Sequence, residues 1–123
     1  MKKLFLLFIL TLNGLTYAQD TITSSQAKDF IGKEVVLKGK IASIKMAGEG
    51  RSTNYINVDA AYPNAVFTVV IPNKSLETLG FKIEESVGKQ IIVKGKVQVY
   101  DKDPKQIPQI FNPGFIQVGL GKK

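Results

Sequence analysis

The chain has 123 residues, with 17 Lys and Arg against 10 Asp and Glu, and it contains no His, Cys or Trp. That length suits one ordinary domain. Without Cys or His, the chain has no disulfide, thiol nucleophile, usual zinc site, Ser-His-Asp triad or imidazole acid–base group. A hydrophobic fraction of 44% with 22% charged residues is typical of a globular protein. The formal net charge of +7 favours acidic partners.

The N-terminus has the pattern of a secretory signal peptide. Two lysines precede an unbroken apolar run from Leu4 to Leu10, and small residues stand at −3 and −1 of a cut after Ala18. The run is far shorter than the roughly 20 residues that cross a bilayer. We therefore expect a signal peptide at 1–18 and a single domain at 19–123, exported to the periplasm or outside the cell. Without Cys, the protein is not a lipoprotein.

A ten-residue pattern occurs twice, at 32–41 and again at 88–97. Each copy reads Gly-Lys-x, three apolar residues, Lys-Gly-Lys and one apolar residue. Alternation of apolar and polar residues predicts two long strands. The internal glycines, Gly39 and Gly95, predict a bulge or a bend at a barrel corner, because glycine otherwise weakens a strand. The residues expected to face the core are Val35, Leu37, Ile41, Ile91, Val93, Val97 and Val99.

Three further strands are expected, at 53–59, at 66–71, and at a last segment that Asn112-Pro113-Gly114 splits into 109–111 and 115–118. The residues expected to face inward are Ile56, Val58, Phe67, Val69 and Ile71. Those expected on the outer face are Tyr55, Asn57, Val66, Thr68 and Val70.

Two short helices are also predicted. The capping-box pattern Thr23-x-x-Gln26 predicts a helix over 24–31. Asn73 is expected to cap a single helical turn that runs to Leu79. The predicted order is helix, three strands, short helix and two strands.

Several segments resemble the small OB-fold domains of exported bacterial proteins, and the resemblance covers about 23–118. The segments are Tyr55-Ile56-Asn57-Val58-Asp59, Tyr62-Pro63-Asn64, Phe67-Thr68-Val69-Val70-Ile71, the second repeat and Pro108-Gln109-Ile110. The resemblance implies an all-β, five-stranded Greek-key OB barrel with a short N-terminal helix and a short helix between strands 3 and 4. Such domains are commonly described as nucleic-acid-binding-like. The loop at 101–107 is longer here than in the domains that the chain resembles.

No enzyme signature is present. The sequence lacks a P-loop, a Gly-x-Ser-x-Gly motif and a cluster of metal ligands. Asp101 and Asp103 alternate like calcium ligands, but Pro104 follows and no distal Glu stands at loop spacing. Arg51 is the only arginine, which argues against the nuclease variant of the fold. We expect no catalysis, no cofactor and no metal.

A single-strand site on an OB barrel needs aromatic side chains for base stacking and cations for the backbone. Tyr55 is the leading stacking candidate, with Asn57 beside it and Tyr62 and Tyr100 as second candidates. The cationic candidates in the flanking loops are Lys45, Arg51, Lys102 and Lys105. Tyr55 could equally be an ordinary half-buried strand aromatic.

A second basic cluster lies in the repeats and consists of Lys38, Lys40, Lys94 and Lys96, all predicted to point outward. It suits an anion site, and it equally suits a solubilising face that blocks edge pairing.

The leading function is weak, sequence-tolerant binding of single-stranded nucleic acid or another polyanion. The alternative is a periplasmic protein-interaction or envelope-stress module that docks a partner through the strand 2–3 face.

Overall fold

The computed structural model describes residues 21–119, so the predicted signal peptide lies outside the described residues. Within that range, no helix has the length and apolar content needed to span a membrane. The elements are β1 (Thr21–Ile22), the 3-10 helix η1 (Ser24–Asp29), β2 (Glu34–Lys45), β3 (Thr53–Val58), β4 (Thr68–Pro72), the 3-10 helices η2 (Asn73–Thr78) and η3 (Ile83–Glu85), β5 (Gln90–Lys96), β6 (Gln98–Val99), β7 (Pro108–Phe111) and β8 (Phe115–Val118).

The strands form one curled sheet in the order β6-β7-β4-β3-β2-β5-β8, with β1 added in parallel to β2. Strand β2 pairs with β5 through its first half and with β3 through its second half. Only Val97 separates β5 from β6, so one nearly continuous strand connects the β6 end of the path with β5 near its other end, and the sheet is a curled half-barrel. Leaving out the two-residue β1 and treating β5–β6 and β7–β8 as single interrupted strands gives five, with β4 and β7 parallel. This is the predicted all-β OB fold.

The two sequence repeats are the two strands β2 and β5, and they pair with each other antiparallel. Leu37 lies opposite Val93, its own counterpart in the repeat, so a local two-fold axis passes between them. The turns obey the same symmetry. The Gly32 N–H donates to the Val97 carbonyl at 2.7 Å, and the Gly88 N–H donates to the Ile41 carbonyl at 2.8 Å.

The internal glycines mark close approaches, and the predicted bulges at these positions are wrong. Pairing is regular at both, and the one register shift of β2 lies between Ile41 and Ser43. A Cβ at Gly39 would collide with a Val58 methyl group, and a Cβ at Gly95 would lie 2.6 Å from Ile110 Cγ2. The pairing supports the predicted bends, because the first repeat changes its partner two residues after Gly39 and the second changes its partner three residues after Gly95.

The inward assignments are confirmed with one partial exception, Val99, which is half-buried. Burial alternates with a period of two in β5, whereas Thr68 to Ile71 of β4 are all buried. The buried set includes Val35, Leu37, Ile41, Ile56, Val58, Phe67, Val69, Ile71, Ile91, Val93, Val97 and Ile110.

Both predicted helices form, as 3-10 turns. The Gln26 side-chain oxygen accepts the Thr23 N–H at 2.9 Å, as the capping pattern predicts, although η1 ends at Asp29. The predicted cap at Asn73 is wrong, because Pro72 is the N-cap of η2. The Asn73 side chain instead bonds to the β2–β3 hairpin, where it shapes the site described next.

Candidate nucleic-acid interface

The outer surface of β3, β4 and β7, with the adjoining end of β2, carries two cross-strand rows of side chains. We call this surface the outer face. Directly paired residues project to the same side of a sheet, so the pairing register defines each row. The first row is Lys45, Tyr55, Val70 and Phe111, and the second is Ser43, Asn57, Thr68 and Gln109.

The first row is apolar and aromatic in its centre. Tyr55 is 37% exposed and Phe111 is 49% exposed, whereas Val70 between them is only 4% exposed. One strand separates the two aromatic residues, which places their backbones roughly 10 Å apart. The outer face therefore presents two exposed rings on either side of a buried valine.

Sequence reasoning missed Phe111 as a candidate. The available signal was the alternation within β7, where Ile110 is buried and its neighbour must point outward. That signal places Phe111 outside the barrel. It does not show that Val70 lies between Phe111 and Tyr55, because that depends on the parallel pairing of β4 with β7.

Three residues of the second row, Ser43, Asn57 and Thr68, form a hydrogen-bond network, and this corrects the prediction for Asn57. Asn57 does project to the outer side, but it is buried, as is Thr68. Its amide donates to Ser43 Oγ at 3.0 Å, and its side-chain oxygen accepts the Thr68 hydroxyl at 2.9 Å. The Tyr62 N–H also donates to Ser43 Oγ, which ties the segment after β3 onto this row. Asn57 therefore stabilises the face and is not free to contact a ligand.

An open cleft of about 280 Å³ lies at the β2–β3 hairpin, beside the first row. It brings together three of the predicted site residues, Lys45, Arg51 and Tyr55. The other lining residues are Met46, Ala47, Gly50, Ser52 and Thr53. One aromatic residue and two cationic residues thus line one cavity, an arrangement suited to stacking a base while its phosphate meets a positive charge.

Buried Asn54 holds this hairpin in place. Its side-chain oxygen accepts the Ala47 N–H at 2.7 Å, and its amide donates to the Ile71 carbonyl at 3.0 Å and to Asn73 Oδ1 at 2.9 Å. The Asn73 N–H donates to the Ser52 carbonyl on the same hairpin. These bonds connect the hairpin to the end of β4, so the cleft is held in shape before any ligand arrives. The signal that could have found Asn54 is a polar residue at an inward position of β3.

Lys102 and Lys105 lie at the opposite end of the outer face. Their loop leads into β7, whose start lies beside the start of β4, whereas the hairpin lies beside the end of β4. Lys105 Nζ donates to the Pro63 carbonyl at 2.9 Å, while Lys102 is exposed. The structure therefore brings Lys45, Arg51 and Tyr55 together and places the other two cations across the face from them.

Acidic side chains accompany both loops, with Glu49 in the hairpin and Asp101 and Asp103 in the β6–β7 loop. The Asp103 carboxylate accepts the backbone N–H groups of Lys105 and Ile107, each at 2.9 Å. It therefore acts as a turn former. Among residues 21–119, no three carboxylates are grouped in a way that could hold a metal ion.

The second predicted cluster lies on the wall formed by β2 and β5. Lys38, Lys40, Lys94 and Lys96 are all exposed. Across the strand pair they face Ile92, Gln90, Val36 and Glu34, respectively. No two of these lysines are directly opposed.

Comparison with known proteins identifies the fold and no family. No protein-family model matches the chain, and no curated protein matches it. Among solved structures, an OBody bound to hen egg-white lysozyme is 20% identical, with a TM-score of 0.56, covering 82% of this chain and 94% of that one. A second OBody bound to the same lysozyme is 22% identical, with a TM-score of 0.55, covering 81% of this chain and 90% of that one.

About a fifth of each of two tRNA synthetases has a similar fold. An aspartyl-tRNA synthetase from Leishmania major Friedlin is 10% identical with a TM-score of 0.54, and 82% of this chain matches 21% of that chain. An asparaginyl-tRNA synthetase from Pyrococcus horikoshii is 17% identical with a TM-score of 0.51, and 73% of this chain matches 20% of that chain. At these identities the similarity establishes the OB fold alone.

Proposed function

We propose that this protein is an exported, non-catalytic domain that binds single-stranded nucleic acid, or a comparable polyanion, weakly and with little sequence preference. The observation that carries the proposal is the first row of the outer face. Two exposed aromatic side chains, Tyr55 and Phe111, flank Val70 next to a cleft lined by Lys45 and Arg51. Export is inferred from the signal-peptide pattern at 1–18.

Stacking and charge supply the affinity in this proposal. Each base stacked on an aromatic ring contributes about 1–3 kcal/mol, so two rings contribute roughly 2–6 kcal/mol. Lys45 and Arg51 at one end of the face, and Lys102 at the other, attract the phosphate backbone. Affinity at physiological salt is then micromolar at best.

Low sequence preference follows from the second row. Reading a base edge requires free hydrogen-bond donors and acceptors on the protein. The side chains of Ser43, Asn57 and Thr68 already bond to one another in the free protein. Stacking tolerates any base, since every base has an aromatic face.

The comparisons support both the leading function and its alternative. The tRNA synthetases of this fold make nucleic acid a reasonable ligand class. The OBody structures hold a protein, lysozyme, on the same fold. The alternative is therefore a periplasmic or envelope-stress module that docks a protein on the aromatic row of the outer face, a contact with little salt dependence.

The experiment is a titration of the protein into a fluorescently labelled oligonucleotide of about five nucleotides, near the lower end of the range that OB folds occupy. Tyr55→Ala and Phe111→Ala should each weaken binding by about 5- to 150-fold, the equivalent of one stacked base. Val87→Ala is the control, because Val87 is 55% exposed in the turn before β5, outside the outer face. Equal effects from all three variants would contradict the proposed site.

A further inference from the structure

We infer that the strand held on the outer face continues along the β2–β5 wall, over a line of four lysines that we call the lysine track: Lys40, Lys38, Lys94 and Lys96. This inference rests on the proposed function, which it deepens by assigning a second contact region and a longer binding site.

The lysine track is a nearly straight line, as the pairing register shows. Lys40 and Lys38 are two residues apart on β2, and Lys94 and Lys96 are two residues apart on β5, so each pair is separated by about 7 Å. Lys38 and Lys94 are diagonal neighbours across the strand pair, at about 8 Å. Four positive charges therefore follow one another over about 20 Å, a regular spacing suited to the repeating charges of an extended polyanion.

The lysine track leads to the cleft because of the irregularity in β2. Lys40 and Lys45 are five residues apart, so strict alternation would place them on opposite sides of the sheet. The register shift between Ile41 and Ser43 adds one residue, and Ser43 and Lys45 then project to the outer side with Asn57 and Tyr55. Strand β2 thus carries outward lysines from the wall to the edge of the cleft.

Nearby acidic groups leave the lysine track positive. Glu34 is paired across the strands with Lys96, at the end of the track farthest from the cleft. Near the other end, the Asp59 carboxylate accepts the Lys40 backbone N–H at 2.9 Å and the Ser24 hydroxyl and keeps its negative charge, so the four lysines outnumber the two nearby carboxylates. Val36 and Ile92, which face the two central lysines, are uncharged.

The local two-fold axis has a consequence for the ligand. It exchanges Lys38 with Lys94 and Lys40 with Lys96, so the four lysines have the same spacing from either end, although Lys96 faces Glu34 where Lys40 faces Gln90. A strand can therefore lie on it in either direction. Lysines act on phosphates as point charges without the fixed geometry of arginine, which fits contact with a backbone and not with bases.

The test compares oligonucleotides of about 5 and about 16 nucleotides, near the two ends of the OB-fold range. The track variant is Lys38→Gln with Lys94→Gln. The control, Lys28→Gln with Lys82→Gln, removes the same charge from exposed lysines outside the strands. For the longer oligonucleotide, the track variant should reduce the magnitude of the log–log slope of affinity against salt, the salt exponent, by about 1.4. The factor by which affinity falls between about 50 and 200 mM salt should then be about sevenfold smaller. The shorter oligonucleotide should not distinguish the track variant from the control.

Two results would overturn the inference. One is a longer oligonucleotide that binds no more tightly than the shorter one, or that responds equally to both double variants. The other is that binding of the longer oligonucleotide depends on the track lysines while binding of the shorter one is unaffected by Tyr55→Ala and Phe111→Ala. The lysines would then form a separate site. Failure of the proposed function appears independently, as a shorter strand that does not bind or does not depend on those rings.

Discussion

Leu37 and Val93 lie opposite each other at the centre of the β2–β5 pair, and each is the counterpart of the other in the repeated sequence. Both side chains are fully buried. The repeat therefore forms its own interface, with its two copies related by a local two-fold axis. The same axis sets the position of the core residues inside the barrel and of the lysine track outside it.

This arrangement predicts that Val93→Asp is strongly destabilising. The carboxylate would lie in the core without a partner, at a cost of about 3–5 kcal/mol in the free energy of unfolding. Urea denaturation followed by circular dichroism measures this cost. Gln90→Asp, at an exposed position of the same strand, is the control and should change stability little. Equal stability of the two variants would show that the inward assignment is wrong.

Gly95→Ala should also destabilise the protein, for a steric reason. The added Cβ would lie 2.6 Å from Ile110 Cγ2, and overpacking of a core typically costs about 1–3 kcal/mol. In an Ile110→Ala background the colliding methyl group is absent, so the same substitution should cost measurably less. Gly48→Ala is the control, because a Cβ there meets nothing within 4 Å. A full cost that persists in the Ile110→Ala background would refute the steric explanation.

Asn54→Ala should loosen the cleft as well as destabilise the fold. It leaves the Ala47 N–H and the Ile71 carbonyl without their partner, and each buried unpaired group costs about 1–3 kcal/mol. Amide hydrogen exchange at Ala47 should accelerate, and binding of the short oligonucleotide should weaken. Asn64→Ala, at an exposed loop position, provides the comparison. Unchanged exchange at Ala47 would mean that Asn54 does not hold the hairpin.

Lys102 and Lys105 should differ, although they lie in the same loop. Lys102 is exposed and free to meet a phosphate, so Lys102→Gln should lower the salt exponent for a single strand by about 0.7. Lys105→Gln removes the bond to the Pro63 carbonyl, so its main effect should be greater mobility of the segment between β3 and β4. Anisotropy titrations measure the first effect and hydrogen exchange at 60–66 the second. Reversed effects would contradict this division of roles.

The strands and their inward residues were predictable because they depend on local alternation. The fold was predicted from the order of these elements and from the resemblance to OB-fold domains. The apolar positions of the repeats, such as Ile91 and Val93, point inward in any sheet that has a period of two. The repeat also predicted that its two copies behave alike.

The composition of the site was less predictable because it depends on which residues lie opposite each other. Phe111 becomes important only through its pairing beside Val70, and Asn57 is buried only because Ser43 and Thr68 flank it. The glycines show the same difficulty, because a glycine inside a strand is expected both at a bulge and where a neighbouring side chain approaches the backbone closely. What differs is the neighbour, and that neighbour is remote along the chain, as Ile110 is for Gly95.

The most direct test of the central claim is the salt dependence of binding to a short, mixed-sequence, labelled oligonucleotide. Three cations on the outer face, Lys45, Arg51 and Lys102, are free to contact phosphates, whereas Lys105 bonds to the Pro63 carbonyl. Three contacts with a single strand give a log–log slope of about −2.1, so affinity should fall by about 18-fold between about 50 and 200 mM salt. No detectable binding at the lower concentration, or an affinity that ignores salt, would contradict polyanion binding and favour docking of a protein on the aromatic row.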